Sequence, residues 1–219
     1  MSYNIRNGIG IDNIQDIGRI ARVILREAPD LVALQELDSA TLRVDGRYIP
    51  GELGRMTGMH ATFGRAIGFA GGSYGVGLLS RTEPLAVRSI PLPGREEARV
   101  LLMAEFPDYT VCVTHLSLTP EDRHASLPLI LQATDTCRKP VLLAGDFNTG
   151  DAAAVLAGLG GGFRILSDTT RMTFPSDNPA VRIDYILGRG LPTSATVTAS
   201  DHCPLWVTLA WKRGKQPGK

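Results

Sequence analysis

Two polar residues, Asp146 and Asn148, directly follow a short apolar run that is bounded by Pro140 and Gly145. The run, residues 141–144, is typical of a buried strand. Because side chains two apart on an extended backbone point the same way, the carboxylate and the carboxamide are predicted to project together. Such a pair can hold a metal ion or a water molecule. It can also form an Asp-x-Asn turn, in which both side chains only bond the backbone.

Polar residues also end several other predicted strands. These strand-end positions are Asn4, Glu36, His115, Asp146 with Asn148, Asp184, and Asp201 with His202. If the sheets place these ends on one edge, all of them face a common cleft. The set is rich in hard oxygen donors and has no plausible cysteine ligand, which favours Mg²⁺, Mn²⁺ or Ca²⁺ over Zn²⁺. Histidines beside acids can also move or stabilise protons, so the set suits metal-assisted phosphoester hydrolysis.

The first elements that must position these residues are a strand, a helix and a second strand. Residues 1–6 are predicted to form a strand. Asp12 and Asn13 can cap a helix over about residues 14–28, whose apolar residues keep helical spacing on one face. Residues 31–34 are the next buried strand, which leads into Glu36. This order predicts an α/β layer.

The middle of the chain is predicted to contain hairpins. A short helix is expected at residues 51–58, and residues 64–72 are expected to form a glycine-rich loop. Residues 75–80 and 85–90 are predicted as a strand pair, and residues 99–106 and 109–114 as a second hairpin.

The last part of the chain is predicted to alternate helices and strands. Helices are expected from Thr119 to about Thr136, capped by Thr119, and over residues 151–158, and strands at 182–187, 194–198 and 204–211. Many hairpins mixed with few helices favour two packed sheets covered by helices over one doubly wound sheet. We expect one domain over residues 1–211 and a basic, disordered tail over residues 212–219.

Composition bounds the class of protein. The chain has 219 residues, of which 43% are hydrophobic and 21% charged, and Lys+Arg 23 nearly balances Asp+Glu 22. This balance disfavours a dedicated DNA-binding protein, since tight duplex binding usually shows as a basic excess. The three cysteines fit neither a zinc site nor a disulfide framework. No apolar run is long enough to span a membrane and no secretory signal is visible, so we expect a soluble protein. Because the chain begins within a predicted strand, its N-terminus is expected to be truncated, and the compartment stays open.

The chain resembles the endonuclease/exonuclease/phosphatase family, the DNase I-like metal-dependent phosphoesterases. The matching stretches occur in family order and span nearly the whole chain. They are Ser2-Tyr3-Asn4-Ile5-Arg6, Leu34-Gln35-Glu36, Tyr74-Gly75-Val76-Gly77-Leu78-Leu79-Ser80-Arg81, Thr114-His115-Leu116, Gly145-Asp146-Phe147-Asn148, Arg182-Ile183-Asp184-Tyr185-Ile186 and Ser200-Asp201-His202-Cys203-Pro204. The resemblance implies an α/β (α+β) fold, a four-layer sandwich of two packed mixed β-sheets flanked by helices.

The resemblance also implies roles for ten residues. Three residues would form the metal site for Mg²⁺ or Mn²⁺: Asn4, Glu36 and Asp201. Five would be catalytic: His115, Asp146, Asn148, Asp184 and His202. In this assignment Asp184 pairs with His202, Asp146 and Asn148 orient or activate the attacking water, and His115 contacts the phosphate. Arg99 and Tyr74 are expected to bind the phosphate. Tyr74 stands near the position where some family nucleases carry a Glu that supports the first histidine, which leaves the partner of His115 undefined.

The substrate is less well determined by the sequence. The neutral charge balance and the short loops favour a small phosphoester, such as a sugar or lipid-headgroup phosphate, over nucleic acid, and cleavage of nucleic acid is the alternative. A chain that kept this fold as an inactive binding module is a second alternative. A third is a serine hydrolase, because residues 71–75 match Gly-x-Ser-x-Gly, but this motif requires a strand before Ser73 and a helix after it. Here a glycine-rich loop is predicted before Ser73 and a strand-like run, residues 76–79, follows it, so the sequence disfavours this alternative. We expect a monomer.

Overall fold

The computed structural model describes residues 1–191, 195–199 and 205–209. The strands and helices, in chain order, are β1 Ser2–Asn4, α1 Ile17–Glu27, β2 Leu31–Ser39, α2 Ile49–Thr57, β3 His60–Phe69, β4 Gly72–Ser80, β5 Ala86–Leu92, β6 Arg99–Glu105, β7 Thr110–His115, α3 Pro120–Asp135, β8 Val141–Asp146, α4 Ala152–Leu159, β9 Arg164–Ile165, β10 Asp184–Arg189, β11 Ala195–Ala199 and β12 Leu205–Leu209. None of the helices in these ranges is both long and apolar enough to cross a membrane.

In the described part of the chain the strands form two mixed six-stranded sheets. The first sheet has the order β11-β12-β1-β2-β4-β3 and the second has the order β5-β6-β7-β8-β10-β9. Pairing is parallel between β1 and β2 and between β7 and β8, and antiparallel at the other paired strands. The prediction of an α/β (α+β) fold with two mixed sheets flanked by helices is therefore confirmed.

Three apolar clusters hold the layers together. Ala33, Val76 and Leu78 of the first sheet pack between the sheets against residues of the second, including Leu102 and Val113. The outer face of the first sheet packs on α1 and α2, and the outer face of the second packs on α3 and α4. The two sheets are therefore fixed relative to each other, so the ends of their strands keep constant relative positions.

Strand β8 is one of the two central strands of the second sheet, and its pairing places three predicted site residues side by side. In the parallel pair, His115 of β7 lies opposite Asp146. In the antiparallel pair with β10, Asp184 lies opposite the same Asp146. One strand register therefore determines the relative positions of a histidine and two carboxylates.

Gly145 is required by the close packing of β8 on β7. A Cβ atom added at Gly145 would lie 2.0 Å from the carbonyl oxygen of Thr114. Because this contact is with backbone, Gly145→Ala should lower the free energy of unfolding by about 2–3 kcal/mol, the scale of overpacking. Urea denaturation measures the effect. Gly150→Ala is the control, since its Cβ would only reach Arg182 O at 3.7 Å. Equal loss of stability in both variants would contradict the packing account.

The first helix starts later than its sequence pattern predicts. The prediction of a helix over residues 14–28 capped by Asp12 and Asn13 is wrong at its start, since α1 begins at Ile17. Asp16 is the cap, with its side chain accepting from Arg19 N at 3.1 Å. Asp12 instead accepts from Ile14 N at 3.0 Å and forms a turn before the helix.

The glycine-rich segment 64–72 is mainly strand, so the prediction of a loop there is wrong. Residues up to Phe69 belong to β3 and pair with β4. A Cβ atom at Gly64 would lie 2.9 Å from Leu102 Cβ in the other sheet. Gly64 is therefore needed for the close approach of the two sheets and not for forming a turn.

One further prediction for this region is wrong, and the serine nucleophile turn that the sequence disfavours does not form. Residues 75–80 lie in β4 and residues 86–90 in β5, but these two strands belong to different sheets and do not pair. Ser73 lies within β4, and strand continues to Ser80. No helix follows Ser73, so the strand–turn–helix that a serine nucleophile requires does not form there.

Candidate active site

One cleft of about 1070 Å³ gathers most of the predicted site residues. Seven of the ten line it: Asn4, Glu36, Tyr74, Arg99, His115, Asp146 and Asn148. They come from both sheets, and only the packing of the sheets brings them together. Asp184, the first residue of β10, is buried and lies opposite Asp146 of the neighbouring strand β8. Asp201 and His202 lie outside the described residues, so their roles and the Asp184–His202 pair stay predictions.

Asn4 connects carboxylates from the two sheets. Its Nδ2 donates to Glu36 Oε1 at 2.9 Å and to Asp146 Oδ2 at 3.2 Å. Its Oδ1 accepts from Arg6 N at 3.1 Å, which fixes the orientation of the amide. In this orientation Asn4 presents its amino group to the carboxylates and positions them, and its predicted place in the metal site stays a prediction.

Glu36 reaches the cleft through an irregularity in β2. The pairing of β2 with β4 shifts register between Leu34 and Leu37. Within this bulge Glu36 has a φ of 58°, a left-handed conformation that is uncommon for a residue with a side chain. Backbone strain of this kind persists where the surrounding structure imposes it, often at functional sites.

Asp146 and Asn148 combine the two alternatives that the sequence left open. Asp146 Oδ1 accepts from Asn148 N at 2.9 Å, and Asn148 Nδ2 donates to Leu116 O at 2.8 Å, so both side chains do bond backbone. Both residues nevertheless line the cleft. Asn148 has a φ of 50°, so the chain turns there and does not continue as extended strand. The remaining oxygen, Asp146 Oδ2, is the one that meets Asn4.

His115 is buried next to Asp146. Its Nε2 lies 3.7 Å from Asp146 Oδ2, which supplies the acidic neighbour that the sequence left undefined. Burial, assisted by the Arg99 guanidinium, lowers the pKa of His115 to about 3, although Glu96 acts in the opposite direction. The imidazole is therefore neutral at neutral pH. A neutral ring can donate a hydrogen bond to an oxygen of a substrate without adding a full charge.

Tyr74 and Arg99 form another part of the cleft wall. Arg99 is only 6% exposed and donates to Glu97 Oε1 at 2.9 Å and to Glu96 Oε1 at 3.2 Å. Burial raises the pKa of Tyr74, and Glu36 and Glu97 raise it further, so its hydroxyl stays protonated. Neither Glu96 nor Glu97 was predicted as a site residue. The available signal was a pair of acids two and three residues before Arg99.

The donor set fits a hard divalent cation. Across the described ranges no three Asp, Glu, His or Cys side chains come together as a metal-binding group. Even so, Glu36 Oε1 and Asp146 Oδ2 accept from the same amide nitrogen, so the two carboxylates lie around the Asn4 amino group in the cleft. Carboxylate oxygens are the ligands that Mg²⁺ prefers, and it usually retains several waters. Such an ion can be bound through one or two protein carboxylates, and Glu36 and Asp146 are of this chemical type.

The chain matches the model of the endonuclease/exonuclease/phosphatase family over residues 1–205. Comparison with curated proteins gives no match.

Three solved structures illustrate the shared fold. An endonuclease/exonuclease/phosphatase from Beutenbergia cavernae DSM 12333 is 23% identical with a TM-score of 0.69, covering 94% of this chain and 69% of that one. A mannosyl-6-phosphatase from Bacteroides thetaiotaomicron is 16% identical with a TM-score of 0.70, covering 96% and 98%. TDP2 from D. rerio, complexed with a single strand DNA product, is 24% identical with a TM-score of 0.65, covering 90% and 86%.

Proposed function

The chain belongs to the endonuclease/exonuclease/phosphatase family, and on this basis we propose that it hydrolyses phosphoester bonds with the help of Mg²⁺ or Mn²⁺. The substrate we propose is a small or lipid-headgroup phosphoester. The observation that carries the proposal is the meeting of Asn4, Glu36, His115 and Asp146 in one cleft.

Glu36 and Asp146 are the described residues that would hold the cation, with Asp201 as the further ligand that the family resemblance implies. When bound, the cation would neutralise phosphate oxygens and make a bound water more acidic. Asn4 keeps the two carboxylates together through its amino group. This amide therefore orients the cation ligands across the boundary between the sheets.

Asp146 and His115 are the residues we assign to the attacking water and the phosphate. Asp146 is buried and lines the cleft, and as a residue that would hold the cation it would also help to orient the attacking water beside it. His115, neutral at neutral pH, would donate to a phosphate oxygen as negative charge develops there. A binding module without activity would not need this set. The presence of all these groups in one cleft supports an enzyme over such a module.

The rim of the cleft supports a substrate with an apolar part. Leu118 is 65% exposed, Ile11 is 71% exposed and Phe174 is 43% exposed, and all three line the cleft beside the polar floor. A bare phosphate would leave these side chains in water, whereas an acyl or aromatic group attached to the phosphate would cover them. The mannosyl-6-phosphatase among the similar structures is named for a small phosphoester.

A nuclease is the second candidate function. Arg6, Arg19 and Arg26 also line the cleft and could contact a phosphate backbone. One of the similar structures is complexed with a single strand DNA product. This alternative is less favoured, because the chain as a whole is close to neutral.

An activity panel with Mg²⁺ or Mn²⁺ tests the proposal. It should compare bis-p-nitrophenyl phosphate, p-nitrophenyl phosphate, sugar phosphates, inositol phosphates and sphingomyelin with plasmid DNA and RNA. We expect turnover of one or more small or lipid-headgroup phosphoesters at a higher kcat/KM than of nucleic acid. Turnover of nucleic acid alone would favour the nuclease. Metal-independent binding without any turnover would favour the binding module.

A further inference from the structure

Arg99 forms an ion pair with each of two glutamates, and these glutamates differ in how many other hydrogen bonds fix their side chains. Its Nη2 donates to Glu96 Oε1 at 3.2 Å and its Nη1 donates to Glu97 Oε1 at 2.9 Å. Its Nε is buried and has no hydrogen-bond partner within the described ranges. The guanidinium is thus paired with two carboxylates, yet it is not fully satisfied as a hydrogen-bond donor.

Glu96 is fixed by several donors besides Arg99. Its Oε1 accepts from Leu118 N at 2.7 Å, and its Oε2 accepts from Ser117 Oγ at 2.8 Å and Thr119 Oγ1 at 3.2 Å. Burial raises the pKa of Glu96, but these hydrogen bonds outweigh it and lower the pKa to about 2. Releasing Glu96 from Arg99 would leave its other bonds intact, so Glu96 stays in place as an anion.

The Glu97 side chain has far fewer hydrogen bonds than that of Glu96. In the part of the chain that the structure describes, its one side-chain hydrogen bond is the one with Arg99. Burial raises the pKa of Glu97, Arg99 opposes this, and the nearby Glu36 raises it further. Glu97 lines the cleft together with Arg99 and Glu36, whereas Glu96 does not. Of the two carboxylates on Arg99, Glu97 is therefore the one that faces an incoming ligand.

We propose that Glu97 is a displaceable internal anion, which occupies Nη1 of Arg99 until a phosphate oxygen of the substrate takes its place. The proposal rests on the proposed function, since it assigns Arg99 to a phosphate group in the same cleft. Every anionic ligand must compete with the Glu97 carboxylate for Arg99. Glu97 thereby lowers the affinity of the site for weakly charged anions and is a specificity-determining residue.

Titration of inorganic phosphate into the full chain tests this role without requiring turnover. The titration is done calorimetrically at low ionic strength in EDTA, so that no cation bridges phosphate to the protein. Glu97→Gln keeps the shape of the side chain and removes its charge. We expect it to lower the Kd of phosphate about fivefold, the scale of losing one partly exposed competing ion pair.

Two controls separate competition at Arg99 from a general change in charge. Asp177→Asn removes one negative charge from an exposed position on the same cleft and should change the Kd of phosphate much less. In the Arg99→Gln background, the further change Glu97→Gln should give no gain in affinity. Thermal melts establish that each variant is folded. If Arg99→Gln does not fold, the comparison of Glu97→Gln with Asp177→Asn decides by itself between competition at Arg99 and a general change in charge.

The proposal is overturned if Glu97→Gln leaves the Kd of phosphate unchanged or raises it. It is also overturned if Asp177→Asn gives the same gain, or if the gain persists without Arg99. These outcomes do not depend on the proposed function. Hydrolysis with an unchanged phosphate affinity would refute only the role of Glu97, and a gain in affinity without any hydrolysis would refute only the proposed function.

Discussion

Replacing Asp146 with Asn should lower kcat/KM for the best substrate of the panel by roughly 10²-fold or more, the scale of removing one positioned catalytic group. Asp146 Oδ2 is the atom that meets Asn4 and lies beside His115. The substitution preserves the size of the side chain and removes its negative charge. Steady-state kinetics at saturating Mg²⁺ measures the loss.

Two control measurements separate the loss of a catalytic group from a general effect of the substitution. Asp177→Asn, an exposed change on the same cleft, should retain nearly the full rate. A thermal melt of Asp146→Asn should show a cooperative transition, because the native state is held by the packed sheets and not by this carboxylate alone. A folded Asp146→Asn variant with full activity would remove Asp146 from the chemistry.

The second large effect is expected for Glu36→Gln, which should weaken binding of Mn²⁺ by roughly 10²-fold, at the upper end of what loss of a supporting group costs a metal site. A neutral amide lacks the charge that a hard divalent cation requires from its ligands. Calorimetric titration of Mn²⁺ measures the affinity directly, independently of turnover.

The matched control is Glu52→Gln, which changes a glutamate of α2 that pairs with Arg47 at 3.2 Å. This variant should bind Mn²⁺ as the unmodified chain does. If Glu36→Gln and the unmodified chain bind Mn²⁺ equally well, the cation does not sit at Glu36, and the assignment of the metal ligands is wrong.

The sequence pattern was sufficient to place the strand ends, because apolar runs that stop at a polar residue mark where a buried strand leaves the core. Asn4, His115 and Asp146 were predicted in this way, and the cleft contains all three. Their distances could not be predicted. His115 meets Asp146 through a parallel register, and Asn4 reaches Asp146 only because two sheets pack face to face.

Other features depend on contacts that have no local sequence pattern. The glycines of β3 suggested a loop, yet Gly64 is needed for the approach of Leu102 from the other sheet. Glu36 turns into the cleft at a bulge, and a bulge is determined by the pairing of β2 with β4. Glu96 and Glu97 stand just before Arg99 in the sequence, but they belong to the site only because Arg99 is buried and forms an ion pair with each of them.

The most direct test of a cation-assisted phosphoesterase at this cleft is the hydrolysis rate of the best panel substrate before and after removal of divalent cations. We expect EDTA to abolish turnover, Mg²⁺ or Mn²⁺ to restore it, and the double substitution Glu36→Gln with Asp146→Asn to prevent the restoration. Turnover that continues unchanged in EDTA, or that survives in the double variant, would contradict this expectation.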